Sequence, residues 1–106
     1  MCALLELKKN KVAHRDVKLD NIILAKDGVR LVDFGFACST NGQMPARLGT
    51  PMFMAPELFG MSEGKKTMID GHATDMWACG VVFYALATKG KTPFSARTEW
   101  DMVQRI

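Results

Sequence analysis

The chain has 106 residues, of which 48% are hydrophobic and 24% are charged. This length suits one domain or part of one, and the composition is typical of a globular chain rather than a disordered one. The net charge of +3 is mild, and the basic cluster at Lys8, Lys9 and Lys11 is too short to predict a nucleic-acid partner. The longest apolar stretch, residues 76–87, falls short of the about 20 residues that span a membrane. We therefore predict no membrane segment and expect a cytoplasmic or nuclear protein.

The three cysteines exclude two common uses of this residue. Cys2, Cys38 and Cys79 are far apart and lack a second ligand at the spacing of zinc sites. Because the cysteines are odd in number and widely separated, they do not indicate a disulfide framework either. Neither a zinc site nor a disulfide is predicted.

The first predicted elements are a helix and a hairpin. Residues 1–9 are good helix formers with basic residues in the last turn, which suits the helix dipole. No capping residue precedes them, so we expect this helix to continue from residues before Met1. Two β-rich runs follow at 22–24 and 29–32, and Asp27-Gly28 between them supplies turn geometry. A small β-hairpin is expected there.

The second half is predicted to contain a long loop and two helices. Residues 33–56 are rich in glycine and proline without periodicity, which predicts one long ordered loop. Residues 73–88 are apolar almost all round, which predicts a helix buried on every side, with Trp77, Phe83 and Tyr84 in the core. A capping-box spacing at 98–101 predicts the start of another helix.

Three sequence motifs carry the chemistry. They are HRDVKLDN at 14–21, DFG at 33–35 and APE at 55–57. The ten residues that define these motifs are H-R-D and the final N of the first, D-F-G and A-P-E, and in this order they have a chance frequency of about one in 10¹³, taking about one in twenty per position. In these motifs, and in DMWACG at 75–80, the chain resembles the eukaryotic protein kinase family over essentially its whole length.

The resemblance implies a fold and a set of roles for the motif residues. The fold class is α+β, a mainly helical large-lobe fragment with a small hairpin after the catalytic loop, and residues 1–106 form a partial kinase domain. Asp16 is implied to accept the proton of the substrate hydroxyl, and Asn21 and Asp33 to hold Mg²⁺. Lys18, Asn21, Ile23 and Asp33 are implied to contact ATP. Thr50 is implied to lie beside Asp16, completing a catalytic group of Asp16, Lys18 and Thr50.

These roles agree with the needs of phosphoryl transfer. Charge on the transferring group must be neutralised while an alcohol is held in line for attack. Asn21 directly precedes the predicted hairpin and Asp33 directly follows it, so the turn is expected to bring these two ligands together. By resemblance, Lys18 and Thr50 favour serine or threonine substrates. His14 is expected to be structural, packed beneath Phe34 with its backbone bonded to Asp75.

Two functions remain open from the sequence. The first is a serine/threonine kinase, placed near the calcium/calmodulin-dependent group, with Ser/Thr-bearing proteins as substrates and with the small lobe and the last large-lobe helices missing. The second is a non-catalytic lobe that acts as a binding or regulatory module. The motif order makes an unrelated protein negligible.

Regulation is expected to depart from the common family pattern. By resemblance, Arg15 binds a phosphate on the activation segment, but the usual acceptor position is Ala46, which has no hydroxyl. We therefore expect a kinase that is active without loop phosphorylation, or one that uses Ser39 or Thr40.

Overall fold

A computed structural model of the protein describes residues 2–39, 50–60 and 69–93. These ranges combine two α-helices with two small antiparallel sheets, which agrees with the predicted α+β class. The elements in chain order are α1 (Cys2–Lys9), β1 (Val12–Ala13), β2 (Ile22–Ala25), β3 (Gly28–Leu31), β4 (Cys38–Ser39) and α2 (Gly71–Ala87). Short 3-10 turns lie at Leu19–Asn21, Pro51–Phe53 and Pro56–Gly60.

The predicted hairpin is confirmed in position. Strands β2 and β3 pair antiparallel from Ile22 opposite Leu31 to Ala25 opposite Gly28. Gly28 has a φ of +133°, a conformation that side-chain-bearing residues rarely adopt. Beyond the strands, the Val32 N–H donates to the Asn21 carbonyl at 2.8 Å. The hairpin therefore fixes the residues that flank it on both sides.

The sheet formed by β1 and β4 was not predicted. Val12 lies opposite Ser39, and Ala13 opposite Cys38. Strands of two residues are too short to show the alternation of side chains that identifies a strand in sequence. The prediction of an unbroken loop over 33–56 is therefore wrong at β4 and at the 3-10 turn of residues 51–53, while residues 40–49 lie outside the described residues.

Helix α2 begins two residues earlier than predicted because Asp70 caps it. One carboxylate oxygen of Asp70 accepts the N–H groups of His72 and Ala73 at 2.9 and 3.2 Å, which satisfies two donors at the helix start. At the other end the Gly90 N–H donates to the Ala85 carbonyl at 2.7 Å, with Gly90 in a left-handed conformation. The predicted end of this helix is confirmed.

The prediction that α2 is buried on every side is wrong for the described residues. Its buried residues share one face and include Thr74, Asp75, Ala78, Val81, Val82 and Ala85. This face points toward residues 14–21, the motif segment here called the catalytic loop. On the opposite side Phe83 is 57% exposed, and Met76, Tyr84 and Leu86 are exposed with it. The apolar sequence all round the helix cannot distinguish these two faces, because only the partners that cover each face decide its burial.

The core is small and lies between α2, the catalytic loop and the hairpin. Its buried centre consists of Val17, Ala78 and Val82, against which Leu4, Leu19, Ile22, Leu31 and Phe53 are packed. The helix predicted from Thr98 lies outside the described residues. Neither described helix is long and apolar enough to cross a membrane.

Candidate active site

Asp75 of α2 accepts hydrogen bonds from the backbone of the catalytic loop. Its side chain is 4% exposed, and its two carboxylate oxygens accept the backbone N–H groups of His14 at 2.7 Å and Arg15 at 2.9 Å. Arg15 has a φ of 68°, which is uncommon for a residue with a side chain. Burial raises the pKa of Asp75, and the two backbone N–H groups oppose this shift. The helix thus stabilises a turn that the loop alone would disfavour.

The ring of His14 connects the backbone at Asp16 to the backbone at Val32. It is 0% exposed, and its Nδ1 accepts the Asp16 N–H at 3.1 Å. The proton of the neutral ring therefore lies on Nε2, which donates to the Val32 carbonyl at 2.9 Å. The ring also packs edge to face against the Phe34 ring, with the two ring centroids 4.8 Å apart. The predicted structural role of His14 is confirmed, including its backbone bond to Asp75.

Three residues predicted to be catalytic meet at one point. The hydroxyl of Thr50 donates to Asp16 Oδ1 at 3.1 Å and accepts from Lys18 Nζ at 3.1 Å. Lys18 Nζ lies 3.8 Å from Asp16 Oδ2. A hydroxyl that bonds a carboxylate and an ammonium at once neutralises neither, but it fixes the position of both. The structure therefore brings Asp16, Lys18 and Thr50 together.

Asn21 is held against Asp16 in one orientation. Its Nδ2 donates to the Asp16 carbonyl at 2.8 Å and approaches Asp16 Oδ2 at 3.3 Å. Because both neighbours are acceptors, the nitrogen must face them and the amide oxygen must face away. This oxygen is available to accept a bond or a metal ion.

Asp33 lies at the exit of the hairpin in a left-handed conformation. Its φ is 60°, and its Oδ1 accepts the Gly35 N–H at 3.2 Å. A Cβ atom at Gly35 would stand 3.2 Å from the same oxygen, so glycine suits this close approach. Among the described residues, no hydrogen bond joins Asp33 to Asn21, and the pairing of Val32 with Asn21 is what relates them.

The side-chain oxygens of the site can be compared with the ligands that Mg²⁺ prefers. Within residues 2–39, 50–60 and 69–93, no three His, Cys, Asp or Glu side chains gather into a metal cluster. Asn21 and Asp33 offer one amide and one carboxylate oxygen, which fits Mg²⁺, since this ion commonly keeps water and phosphate oxygens as its other ligands. Ile23 lies exposed on β2, two residues beyond Asn21.

Sequence reasoning missed several contacts that shape the site. The Val32 and Phe36 carbonyls accept bonds from His14 and Arg15, and backbone acceptors have no residue signature. The cap at Asp70 had a signal, because an acidic residue directly before an apolar helix is a common N-cap.

Comparison with known proteins identifies the class of this site. The family described as "Protein kinase domain" matches residues 1–106. The chain therefore belongs to the protein kinase family, whose members generally use ATP and Mg²⁺.

Several relatives resemble the chain over most of its length. The chain is 40% identical to serine/threonine-protein kinase 36 of Pongo abelii, over 98% of this chain and 8% of the relative. It is 38% identical to a calcium/calmodulin-dependent protein kinase kinase of Caenorhabditis elegans, over 89% of this chain and 18% of the relative. It is 37% identical to the phosphorylase b kinase gamma catalytic chain, liver/testis isoform, of Mus musculus, over 94% and 25%. The chain thus spans a quarter or less of each.

Proposed function

We propose that the full-length protein containing this chain transfers the γ-phosphate of ATP to serine or threonine hydroxyls of protein substrates. The observation that carries the proposal is the junction of Asp16, Lys18 and Thr50, held by hydrogen bonds of 3.1 Å. Residues 1–106 would form the catalytic part of the large lobe of the kinase domain. The serine/threonine names of the relatives support the choice of substrate.

In this mechanism the residues of the chain would hold Mg²⁺ and ATP in place and neutralise charge on the phosphate. Asp16 would accept the proton of the attacking hydroxyl, and Lys18 would neutralise charge on the phosphate. Asn21 and Asp33 would hold Mg²⁺, while Lys18, Asn21, Ile23 and Asp33 would contact ATP. Mg²⁺ would supply neutralisation of phosphate charge. Asp16 and Thr50 line a small cleft with Phe53 and Met54, and the substrate segment would lie along it.

The partners in this proposal include further parts of the same protein. The exposed apolar residues of α2 and of the hairpin need cover, and these residues include Phe83, Leu86 and Leu24. A small lobe would hold the far side of ATP, and further helices of the large lobe would pack on α2.

The test is phosphoryl transfer by the full-length protein. With Mg-ATP and serine- or threonine-containing peptides, we expect Asp16→Asn and Asp33→Asn each to lower turnover by about 100- to 10,000-fold with the fold retained. Asp27→Asn is the matched control, because Asp27 lies exposed in the hairpin turn and pairs with Arg30 at 2.9 Å. Near-normal turnover in Asp33→Asn would refute the proposed mechanism.

A further inference from the structure

The 3-10 turn of residues 51–53 carries an exposed methionine next to the candidate site. Met52 is 39% exposed, whereas Met54, two positions later, is 6% exposed. Thr50 precedes the turn as its N-cap residue, and the Thr50 hydroxyl donates to Asp16 at 3.1 Å. A change in the position of this turn would therefore displace a residue of the site.

The sulfur of Met52 has a specific partner. The hydroxyl of Thr92 donates to Met52 Sδ, with 3.7 Å between the oxygen and the sulfur. Thr92 lies 40 positions further along the chain, beyond the end of α2, so this contact joins the turn to the segment that follows the helix. Because a thioether is a weak acceptor, the contact holds the turn only weakly.

The thioether of Met52 is chemically suited to reversible oxidation. Methionine is oxidised to a sulfoxide, which reductases return to the thioether. With hydrogen peroxide as the oxidant, the O–O bond breaks, one S–O bond forms, the sulfur loses two electrons and the second oxygen leaves as water. Sulfur has two lone pairs, so one stays open to peroxide while the other accepts the Thr92 hydroxyl. Met54 has the same chemistry but is shielded by burial.

The sulfoxide oxygen is a much better acceptor for the same hydroxyl than the thioether sulfur. An O–H···O bond spans about 2.7 Å, and the sulfoxide adds the length of one S–O bond at a bent angle. The 3.7 Å between Met52 Sδ and Thr92 Oγ1 therefore leaves room for the new oxygen without moving the two chain segments apart. The methionine side chain is unbranched and has three rotatable bonds, which allow the oxygen to turn toward Thr92.

We propose that Met52 is a site of reversible oxidation by peroxide, and that its sulfoxide bonds the Thr92 hydroxyl and so fixes the turn that follows Thr50. Oxidation replaces a weak contact between two segments of the chain with a strong one. Neither the modification nor the bond depends on the proposed kinase function.

The first measurement is the rate of oxidation of each methionine in the full-length protein treated with hydrogen peroxide, followed by peptide mass spectrometry. We expect Met52 to be oxidised at least about tenfold faster than Met54, because only Met52 is exposed. Met76 on α2 is also exposed and is the reference for an exposed methionine outside the turn. A methionine sulfoxide reductase should restore the thioether. Equal rates at Met52 and Met54, or a product at Met52 that the reductase cannot restore, would overturn the proposal.

The second measurement is hydrogen exchange of the Phe53 and Met54 backbone amides before and after oxidation. These amides donate to the Thr50 and Pro51 carbonyls at 2.9 and 3.2 Å, so their exchange reports how often the turn opens. We expect oxidation to slow their exchange by about fivefold to tenfold, which corresponds to one added net hydrogen bond.

Three variants separate the hydrogen bond from the oxidation. Thr92→Val keeps the shape and removes the hydroxyl, so Met52 should still be oxidised while exchange at the turn does not slow. Met52→Leu has no sulfur and should show no change at the turn after peroxide treatment, whereas the matched control Met76→Leu should respond like the wild type. If exchange slows as much in Thr92→Val as in the wild type, or becomes faster in the oxidised wild type, the sulfoxide does not bond Thr92 and the proposal is wrong.

Discussion

The hydroxyl of Thr50 separates two opposite charges in the candidate site. It bonds Asp16 and Lys18 at 3.1 Å each, while the ammonium stays 3.8 Å from the carboxylate. At 3.8 Å this ion pair is longer than a charge-assisted hydrogen bond, which would commit more of the Asp16 carboxylate to Lys18. Thr50 therefore acts as a spacer that keeps both groups near each other and available.

Replacing Thr50 tests this spacer. We expect Thr50→Val, which keeps the shape and removes the hydroxyl, to lower turnover of the full-length protein by about tenfold to 100-fold. Thr50→Ser keeps the hydroxyl and is expected to stay within a few-fold of the wild type. Peptide phosphorylation at saturating Mg-ATP measures both. A Thr50→Val enzyme as active as Thr50→Ser would contradict the spacer role.

At the residue scale the sequence predicted side chains well and backbone acceptors poorly. The family resemblance placed Asp16, Lys18 and Thr50 in one site, although Thr50 lies 32 positions beyond Lys18. The bond from Arg15 to Phe36 could not be predicted, because every residue has a carbonyl and only the fold decides which one is close. The roles of Ser39 and Thr40 stay predictions, since the structure describes Ser39 in β4 and Thr40 lies outside the described residues.

Helix α2 is the element that supports the catalytic loop. Its cap at Asp70 fixes where the helix starts, and Asp75 on its first buried turn bonds the loop backbone at His14 and Arg15. Loss of helical structure at the start of α2 would therefore weaken these bonds to the loop backbone. In the described part of the chain, no residue of the first turn makes a hydrogen bond to Asp16.

Removing the cap is expected to destabilise the protein without removing any group of the site. Asp70→Ala should lower the free energy of unfolding by about 1 kcal/mol. Asp70→Asn, which keeps an oxygen acceptor, should restore most of this loss. Chemical denaturation of the full-length protein measures the effect, and equal stability of the alanine and asparagine variants would show that the cap is not significant.

The carboxyl of Asp75 predicts a dependence of stability on pH. Burial raises its pKa above the ordinary 3.8, so the folded state binds this proton more tightly than the unfolded state. The contribution of Asp75 is fully present below pH 3.8 and is lost as pH rises through the folded pKa. The stability of the wild type relative to Asp75→Asn should therefore fall as pH rises in this window.

The measurement is the difference in unfolding free energy between the two proteins at several pH values. Asp75→Asn is the natural reference because it keeps the volume and cannot titrate. If the difference instead grows in favour of the wild type with rising pH, the two N–H bonds to Asp75 outweigh the effect of burial.

Element types were easier to predict than element ends and exposure. The hairpin had a turn signal at Asp27-Gly28 and was placed correctly. Strands β1 and β4 have two residues each. Strands this short pair because other contacts of the fold bring the two segments together. The exposure of Phe83 depends on what covers α2, which is a property of the surroundings rather than of the helix.

The described part of the molecule has a small core and a large apolar surface. Leu24 is 85% exposed, and Val29, Phe83 and Leu86 are also exposed. Apolar surface on this scale is typical of faces that meet another part of the same protein or a partner. In the described part of the chain these faces are in contact with water.

We expect the isolated chain to associate or to unfold without a sharp transition. Light scattering during thermal unfolding of residues 1–106 measures both properties. Leu24→Lys combined with Phe83→Lys should reduce association, because both side chains are exposed and neither belongs to the buried core. A cooperative transition from a monomer of the unmodified chain would show that this surface needs no cover.

The bond between His14 and Asp75 also determines when the catalytic loop can form during synthesis. The two residues lie 61 positions apart, so the loop and the hairpin leave the ribosome before Asp75 has been translated. Closing a connection of this length costs roughly 4 kcal/mol of chain entropy, which the completed helix must offset. A nascent chain that ends before Asp75 thus carries Asp16 and Asn21 without the two carboxylate bonds that stabilise the left-handed turn at Arg15. We therefore expect the site to be assembled only after the 17-residue helix α2 has been made.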